Sequence, residues 1–455
     1  MNLQSFLISQ EASIKDALAS IESNTHGVIF IIDDQNSVIG IATDGDIRRK
    51  LVTDADLNSS IGLCANKSFY WADETVSRES LIKKLDEKIK IIPILNNEKN
   101  LVDIVTKDSM PILAEEAVYT RSKSPVRVSF GGGGSDLTHY FSGDIGAVIN
   151  ATISFYSHAT LRLRSDSKIS ITSLDLKDSL HANNLEDLME PKSGFGLIQS
   201  VIKTIRPNFG FELDLYSDFP MSLGLGGSAV VAASILGCFN ELRQDRWDLH
   251  ELAELAYQAE RLYQGIEGGW QDQYATVFGG LNFMEFKMEQ NLVHPLRLSQ
   301  NNLHELEESL ILCDTDTTHN SGNIHSDQRE QMQNEDIKKL VQANVKLCFE
   351  MRDQLLRGRL NDFGHSLHKA WKFKRELSSQ ISNKKLDKIY DDALSNGAIG
   401  GKLLGAGGGG YFIFFVPHSQ KLKLIEHLNK NNLKTRPFRF ESEGLKSWTV
   451  REPKL

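Results

Sequence analysis

A glycine loop that opens a long apolar helix constrains this chain more than any other feature. Pro220-Met221-Ser222-Leu223-Gly224-Leu225-Gly226-Gly227-Ser228-Ala229 runs directly into Val230 to Leu242, a helical run of small and apolar residues. The first N–H groups of a helix have no intrahelical partner, and the helix dipole adds positive potential there, so such an end attracts phosphate. Three glycines are more than a plain cap requires. Ser228 is placed either to cap the helix or to contact a phosphate-bound metal. The pattern is neither the Gly-x-x-x-x-Gly-Lys-Ser/Thr loop nor a dinucleotide fingerprint after a first strand.

Two more glycine stations lie far away in sequence. Upstream, an alternating strand Pro125-Val126-Arg127-Val128-Ser129-Phe130 enters four glycines, Gly131 to Gly134, followed by Ser135-Asp136. Those glycines let backbone approach a ligand, and Asp136 stands just past the bend, where it can accept hydrogen bonds from hydroxyls. Downstream, Gly400-Gly401-Lys402-Leu403-Leu404-Gly405-Ala406 leads through Gly407 to Gly410 into the strand Tyr411 to Val416. A glycine tract so late predicts that distant segments converge on one site. Between them, the helix Glu251 to Tyr263 breaks at glycines before Gly268-Gly269-Trp270-Gln271-Asp272-Gln273-Tyr274. An acid beside phosphate-binding loops suits a general base or a magnesium ligand.

The net charge of −9 argues against a nucleic-acid partner. No apolar run reaches the ~20 residues of a membrane-spanning helix. The start, Met1 to Gln10, shows no secretory pattern, so the expected location is cytoplasmic. Cys64, Cys238, Cys313 and Cys348 are widely spaced, which predicts free, buried thiols.

The first 113 residues have a different texture. A helical pattern (Ile14, Ala17, Leu18, Ile21) precedes two apolar runs, Val28 to Ile32 and Ser37 to Ala42, at hairpin distance. Thr43-Asp44-Gly45-Asp46 then opens a helix. The order recurs: helix Ser77 to Leu85, strand Ile91 to Leu95, turn, strand Leu101 to Val105, then Thr106-Lys107-Asp108. This is an internal repeat. Carried by Gly40-Ile41-Ala42-Thr43-Asp44-Gly45-Asp46-Ile47-Arg48-Arg49, it resembles a pair of CBS modules. That resemblance implies an adenosine nucleotide at Thr43 and Asp46, and association into a homodimer. The second unit departs from it, with Asp103 for the Gly and Ser109 for the Asp. A fold-only packing module without ligand is the alternative.

In their order and spacing, the three stations resemble the GHMP kinase superfamily, which phosphorylates galactose, mevalonate, homoserine and related alcohols. The resemblance covers residues 120 to 450. It implies an α+β, two-domain GHMP kinase fold preceded by the CBS-pair α/β module. The expected divisions are 1–113 for the CBS pair, 114–123 for a linker, 124–300 for the ATP-binding domain and 301–455 for the C-terminal domain. It also implies ATP and Mg2+. Gly224, Leu225, Gly226, Gly227, Ser228 and Ala229 would wrap the ATP phosphates, and Ser228 and Glu260 would hold the metal. Asp272 would be the base or orienting acid, and Arg127 would lie near the transferred phosphoryl group. Asp136, with Gly133 and Gly134, would bind substrate, and Gly405 to Gly409, notably Gly407 and Gly408, would close the site. The family usually has Ser where this chain has Gly227.

Within the superfamily the chain resembles D-glycero-D-manno-heptose 7-phosphate kinases. The segments that carry this are Gly268 to Ala275, Phe278-Gly279-Gly280-Leu281-Asn282, Leu377 to Asn383 and Gly397 to Lys402. The implied substrate is a sugar or sugar phosphate that takes a phosphoryl group on its anomeric hydroxyl. Lys372 and Lys374 are the candidate cations for a substrate phosphate. His319, Asn320 and Ser321 stand where relatives carry a Thr- and Arg-containing turn. The fusion to a CBS-like pair suits a pathway of nucleotide-activated sugars for surface glycans. The competing readings are a fucose- or galactose-type 1-kinase, and a nucleotide sensor with a silent kinase half.

Overall fold

The computed structural model describes residues 3–85, 89–107, 109, 117–191, 194–220, 224–317, 321–331 and 334–451. Near the start, Asp33 closes a hairpin by accepting from Gln35 N–H at 2.9 Å and Ser37 N–H at 3.0 Å. Asn96 closes a second hairpin the same way, from Glu98 at 3.0 Å and Asn100 at 2.9 Å. A left-handed residue sits in each turn, Asn36 at φ 63° and Lys99 at φ 60°. Each hairpin also shifts register at its last pair, between Ile31 and Ile32 and between Ile94 and Leu95. Val28–Ile32 pairs antiparallel with Val38–Thr43 and parallel with Leu7–Ser9. Ile91–Leu95 does the same with Leu101–Thr106 and Ala72–Asp73. The expected internal repeat is therefore present as two matching three-stranded sheets. Each has its own apolar cluster, and Phe6, Phe30, Val38, Leu95 and Ile104 form a third cluster drawing on both.

The chain divides into two compact units, Met1–Ala114 and Glu115–Leu455. The second holds two sheets. Eight strands form the first, in the order Asp178–Ala182, Ile169–Ser173, Phe211–Ser217, Gly146–Leu163, Leu281–Phe286, Asn291–Pro295. The long strand Ala117–Gly131 also pairs with Gly146–Leu163, and Lys446–Arg451 pairs with it. Gly400–Leu403, Tyr411–Phe415, Leu310–Asp314 and Thr435–Arg436 form the second sheet, antiparallel throughout. The expected cut at 300/301 falls between the two sheets, but residues 446–451 return to the first.

Residues 117–123 are strand, which corrects the expected linker 114–123. Their polarity hid this. Thr120 and Ser122 are buried, and their hydroxyls bond backbone carbonyls of the Gly227–Glu241 helix: Thr120 Oγ1 donates to Cys238 O at 3.1 Å and Ser122 Oγ to Ser234 O. A small hydroxyl residue with its bond satisfied packs in a core at little cost. The helix is buried at every residue from Ala229 to Asn240, matching its lack of a polar face. All four cysteines are free and buried, as expected. Among the described residues no helix is long and apolar enough to cross a membrane.

Candidate active site

The Gly227–Glu241 helix begins at Gly226, an N-cap at φ 78° with no side-chain cap bond. Its first intrahelical bond is Val230 N–H to Gly226 O at 3.1 Å. The N–H groups of Gly227, Ser228 and Ala229 have no intrahelical acceptor, and none takes a backbone partner among the described residues. Of the two roles open to Ser228, capping is not the one seen, because its hydroxyl donates instead to Glu260 Oε1. Glu260 is 2% exposed and is held by two more donors: Gln273 Nε2 reaches Oε2 at 2.7 Å and Arg261 Nη1 lies 3.1 Å from Oε1. Glu260 and Arg261 belong to a π-helical turn, Gln258–Tyr263, that extends the Leu249–Tyr257 helix. Such turns recur at functional sites because they re-aim side chains.

Arg127 comes from the Ala117–Gly131 strand and meets Asp272, at the first turn of the Gln271–Phe278 helix. Nε and Nη2 each lie 2.8 Å from a carboxylate oxygen, and Nη1 donates to Gly224 O at 2.7 Å. This two-pronged geometry is the strong form of a charge pair. It sits against the helix end: a Cβ on Gly226 would be 3.3 Å from Asp272 Oδ2 and 3.5 Å from Arg127 Cζ. The third station arrives at the same place, since a Cβ on Gly224 would stand 2.6 Å from Leu404 O. All three glycine stations thus converge, as their order predicted.

Asp136 accepts from Gly134 N–H at 3.1 Å and from Gln271 N–H at 3.3 Å. A Cβ on Gly269 would fall 1.8 Å from Asp136 Oδ2, so a larger residue there would push that carboxylate aside. Burial first, and then the nearby Asp272 charge, raise the Asp136 pKa. A carboxyl raised in the folded state stabilises the protein below its unfolded pKa, and that contribution is lost as pH climbs through the folded value. Asp136→Asn should therefore match the wild-type Tm in acid and exceed it increasingly toward neutral pH. Thermal melts of both proteins from pH 4 to pH 8 check this. A variant less stable than wild type at neutral pH would mean that the two backbone bonds outweigh burial.

Other expected residues are placed differently. Lys372 is exposed, on the outward side of the Leu360–Glu376 helix, and is not brought into the cluster. Lys374 is buried, but its ammonium donates to Leu403 O at 3.2 Å and to Gly405 O, so it ties down the third loop. Gly408 N–H bonds Ile381 O at 2.8 Å, and a Cβ on Gly407 would be 2.7 Å from Ile381 Cα. No described residue comes within 4 Å of a Cβ placed on Gly133. His319 and Asn320 lie outside the described residues, as does the side chain of Ser321. In the N-terminal unit, Thr43 and Asp46 form a capping box for the Asp44–Thr53 helix, and Asp46 also pairs with Arg49.

Sequence reasoning missed Gln273 and Arg261 as partners of Glu260, and Lys402. The first two flanked residues already singled out, and a buried acid needs donors. Among the described residues no group of three His, Cys, Asp or Glu side chains is placed to hold a metal. Ser228 and Glu260 offer one hydroxyl and one carboxylate, which suits Mg2+ completed by phosphate and water oxygens.

The models for the GHMP kinases N terminal domain and C terminal domain match residues 196–280 and 351–434, and the CBS domain model matches residues 1–53. The chain belongs to the GHMP kinase family. It is a phosphotransferase acting on a sugar hydroxyl, and it carries a CBS domain. It is 35% identical over 336 residues to the D-glycero-alpha-D-manno-heptose 7-phosphate kinase of Campylobacter jejuni, covering 72% of this chain and 99% of that one. It is similar to the crystal structure of a D-glycero-D-manno-heptose 1-phosphate kinase from Bacteroides thetaiotaomicron, at TM-score 0.60 and 28% identity, covering 73% of this chain and all of that one. The bifunctional fucokinase/GDP-fucose pyrophosphorylase of Arabidopsis thaliana is 26% identical over 328 residues, 67% of this chain and 30% of that one.

Proposed function

We propose that this chain transfers the γ-phosphoryl group of ATP to the anomeric hydroxyl of D-glycero-D-manno-heptose 7-phosphate, in the cytoplasm, on a route to nucleotide-activated sugars for surface glycans. The observation that carries the reading is the Arg127–Asp272 pair standing at the open end of the Gly227–Glu241 helix. A helix end with three unpaired N–H groups suits the ATP phosphates, from Gly224 through Ala229. Asp272 would orient the acceptor hydroxyl and take its proton, and Arg127 would balance charge on the phosphoryl group in flight. Asp136 would accept hydrogen bonds from the sugar. Ser228 and Glu260 would hold Mg2+, which supplies charge neutralisation between the phosphates. Catalysis of this type is mostly positioning and electrostatics.

Both heptose kinases named above act on a sugar that already carries phosphate, though their names place it differently. The test is ADP release with Mg-ATP over heptose 7-phosphate, heptose 1-phosphate, mannose, fucose and galactose, with the product scored by phosphorus NMR. A new anomeric phosphate on heptose 7-phosphate is the expected result. Turnover on fucose or galactose alone would replace the substrate but keep the class. For the CBS pair, adenosine nucleotide binding at Thr43 and Asp46 remains part of the proposal, and a ligand there would have to share Asp46 with the helix cap.

A further inference from the structure

One helix reaches two parts of the site. The first turn of Gln271–Phe278 carries Asp272 and Gln273 side by side. Successive helix residues point about 100° apart, so the two side chains aim at different neighbours. Asp272 meets Arg127 through both carboxylate oxygens. Gln273 is 0% exposed, and its Nε2 donates to Glu260 Oε2 at 2.7 Å. The other oxygen of Glu260, Oε1, accepts from the Ser228 hydroxyl and lies 3.1 Å from Arg261 Nη1. The Gln273 amide cannot be turned round, since its carbonyl oxygen would then face a carboxylate with no proton between them. That carbonyl oxygen, Oε1, is left buried without a partner.

Packing alone does not explain a glutamine here, since an apolar side chain would fill the space without an unpaired buried oxygen. Charge balance does not explain it either, since a lysine would serve that better. A neutral donor does what neither can. It fixes the turn of the terminal carboxylate, a torsion that is otherwise broad. It also adds no second cation beside Arg261 to cancel the charge that Mg2+ needs. We propose that Gln273 is a positioning residue for the metal site, holding Glu260 Oε2 so that Oε1 stays turned toward Ser228 for Mg2+. The Gln271–Phe278 helix then sets the spacing between Asp272 and the carboxylate of the metal site. This rests on the kinase reading above.

The test is Gln273→Met, which keeps the shape without the donor, and Gln273→Lys, which keeps a donor and adds charge. Calorimetry gives the Kd of the non-hydrolysable ATP analogue AMP-PNP, once with EDTA and once with Mg2+, so no turnover is needed. Wild type should bind more tightly with Mg2+. Gln273→Met should keep the metal-free Kd and lose at least ~10-fold of the gain from Mg2+, or the whole of a smaller gain, the scale for removing a hydrogen bond that orients a metal ligand. Gln273→Lys should recover the Tm that methionine loses but not the Mg2+ gain. A Mg2+ gain left intact in folded Gln273→Met, a metal-free Kd that weakens as much as the gain falls, or a gain restored by lysine would overturn the inference. Should the methionine variant not fold, the lysine variant carries the test alone. If wild type itself gains nothing from Mg2+, it is the metal reading that fails.

Discussion

Asp272→Asn is expected to fold normally and to lose at least ~100-fold in kcat, the scale of removing a general base. The carboxylate is held by both prongs of Arg127 at 2.8 Å, on the first turn of a helix that packs into the core. Asparagine keeps the shape and one acceptor oxygen but turns an NH2 group toward an Arg127 donor. Arg127 retains Gly224 O, so the local frame should survive. What disappears is the carboxylate that Arg127 holds at the open helix end; Glu260, bonded to Ser228 there, stays in place. Two roles are separable here. If Asp272 acts on the acceptor hydroxyl, kcat falls far further than the Tm lost by leaving the buried Arg127 without its ion-pair partner can account for. If it merely anchors Arg127, the loss should track Arg127→Met, and combining the two changes should cost no more than either alone. Near-wild-type kcat in folded Asp272→Asn would remove Asp272 from the mechanism.

The glycine stations were legible because glycine runs are local and their order along the chain is fixed. Their meeting point was legible only as an expectation, since it takes tertiary structure to place Leu404 O against Gly224. Lys374 and Lys372 show the boundary well. On a helix of 3.6 residues per turn they stand about 200° apart, so they cannot share a face. Phe363, Leu367, Ala370, Trp371 and Lys374 form the inward stripe, so the pattern itself marked Lys374 as the buried one. What it did not mark was the partner, which is loop backbone rather than substrate. Residues 117–123 misled for the opposite reason: their inward positions carry Thr and Ser, and hydropathy does not see a hydroxyl satisfied by a helix carbonyl. Lys402 sat inside a segment quoted for its resemblance, yet nothing local says that a lysine flanked by glycine and leucine is 2% exposed. The same holds for Thr43 and Asp46, where residue types that suit a ribose equally suit a capping box.

Glu260→Gln is the second large effect, an expected loss of at least ~100-fold in turnover from weakened metal binding. The difficulty is that Glu260 also balances the buried Arg261, whose guanidinium bonds Ile266 O and Gly269 O in the glycine turn. Removing one partner of a buried ion pair costs roughly 3–5 kcal/mol, so the single variant should melt at lower temperature whatever its role in the metal site. Adding Arg261→Met separates the two contributions. Methionine keeps much of the apolar stem and removes the orphaned charge. The double variant should regain most of the lost Tm yet stay catalytically poor, with a raised Mg2+ requirement. That outcome would assign Glu260 to the metal, alongside Ser228. Recovery of both Tm and kcat would show instead that Glu260 serves only to neutralise Arg261, and that Mg2+ is held by Ser228 and the phosphates without it.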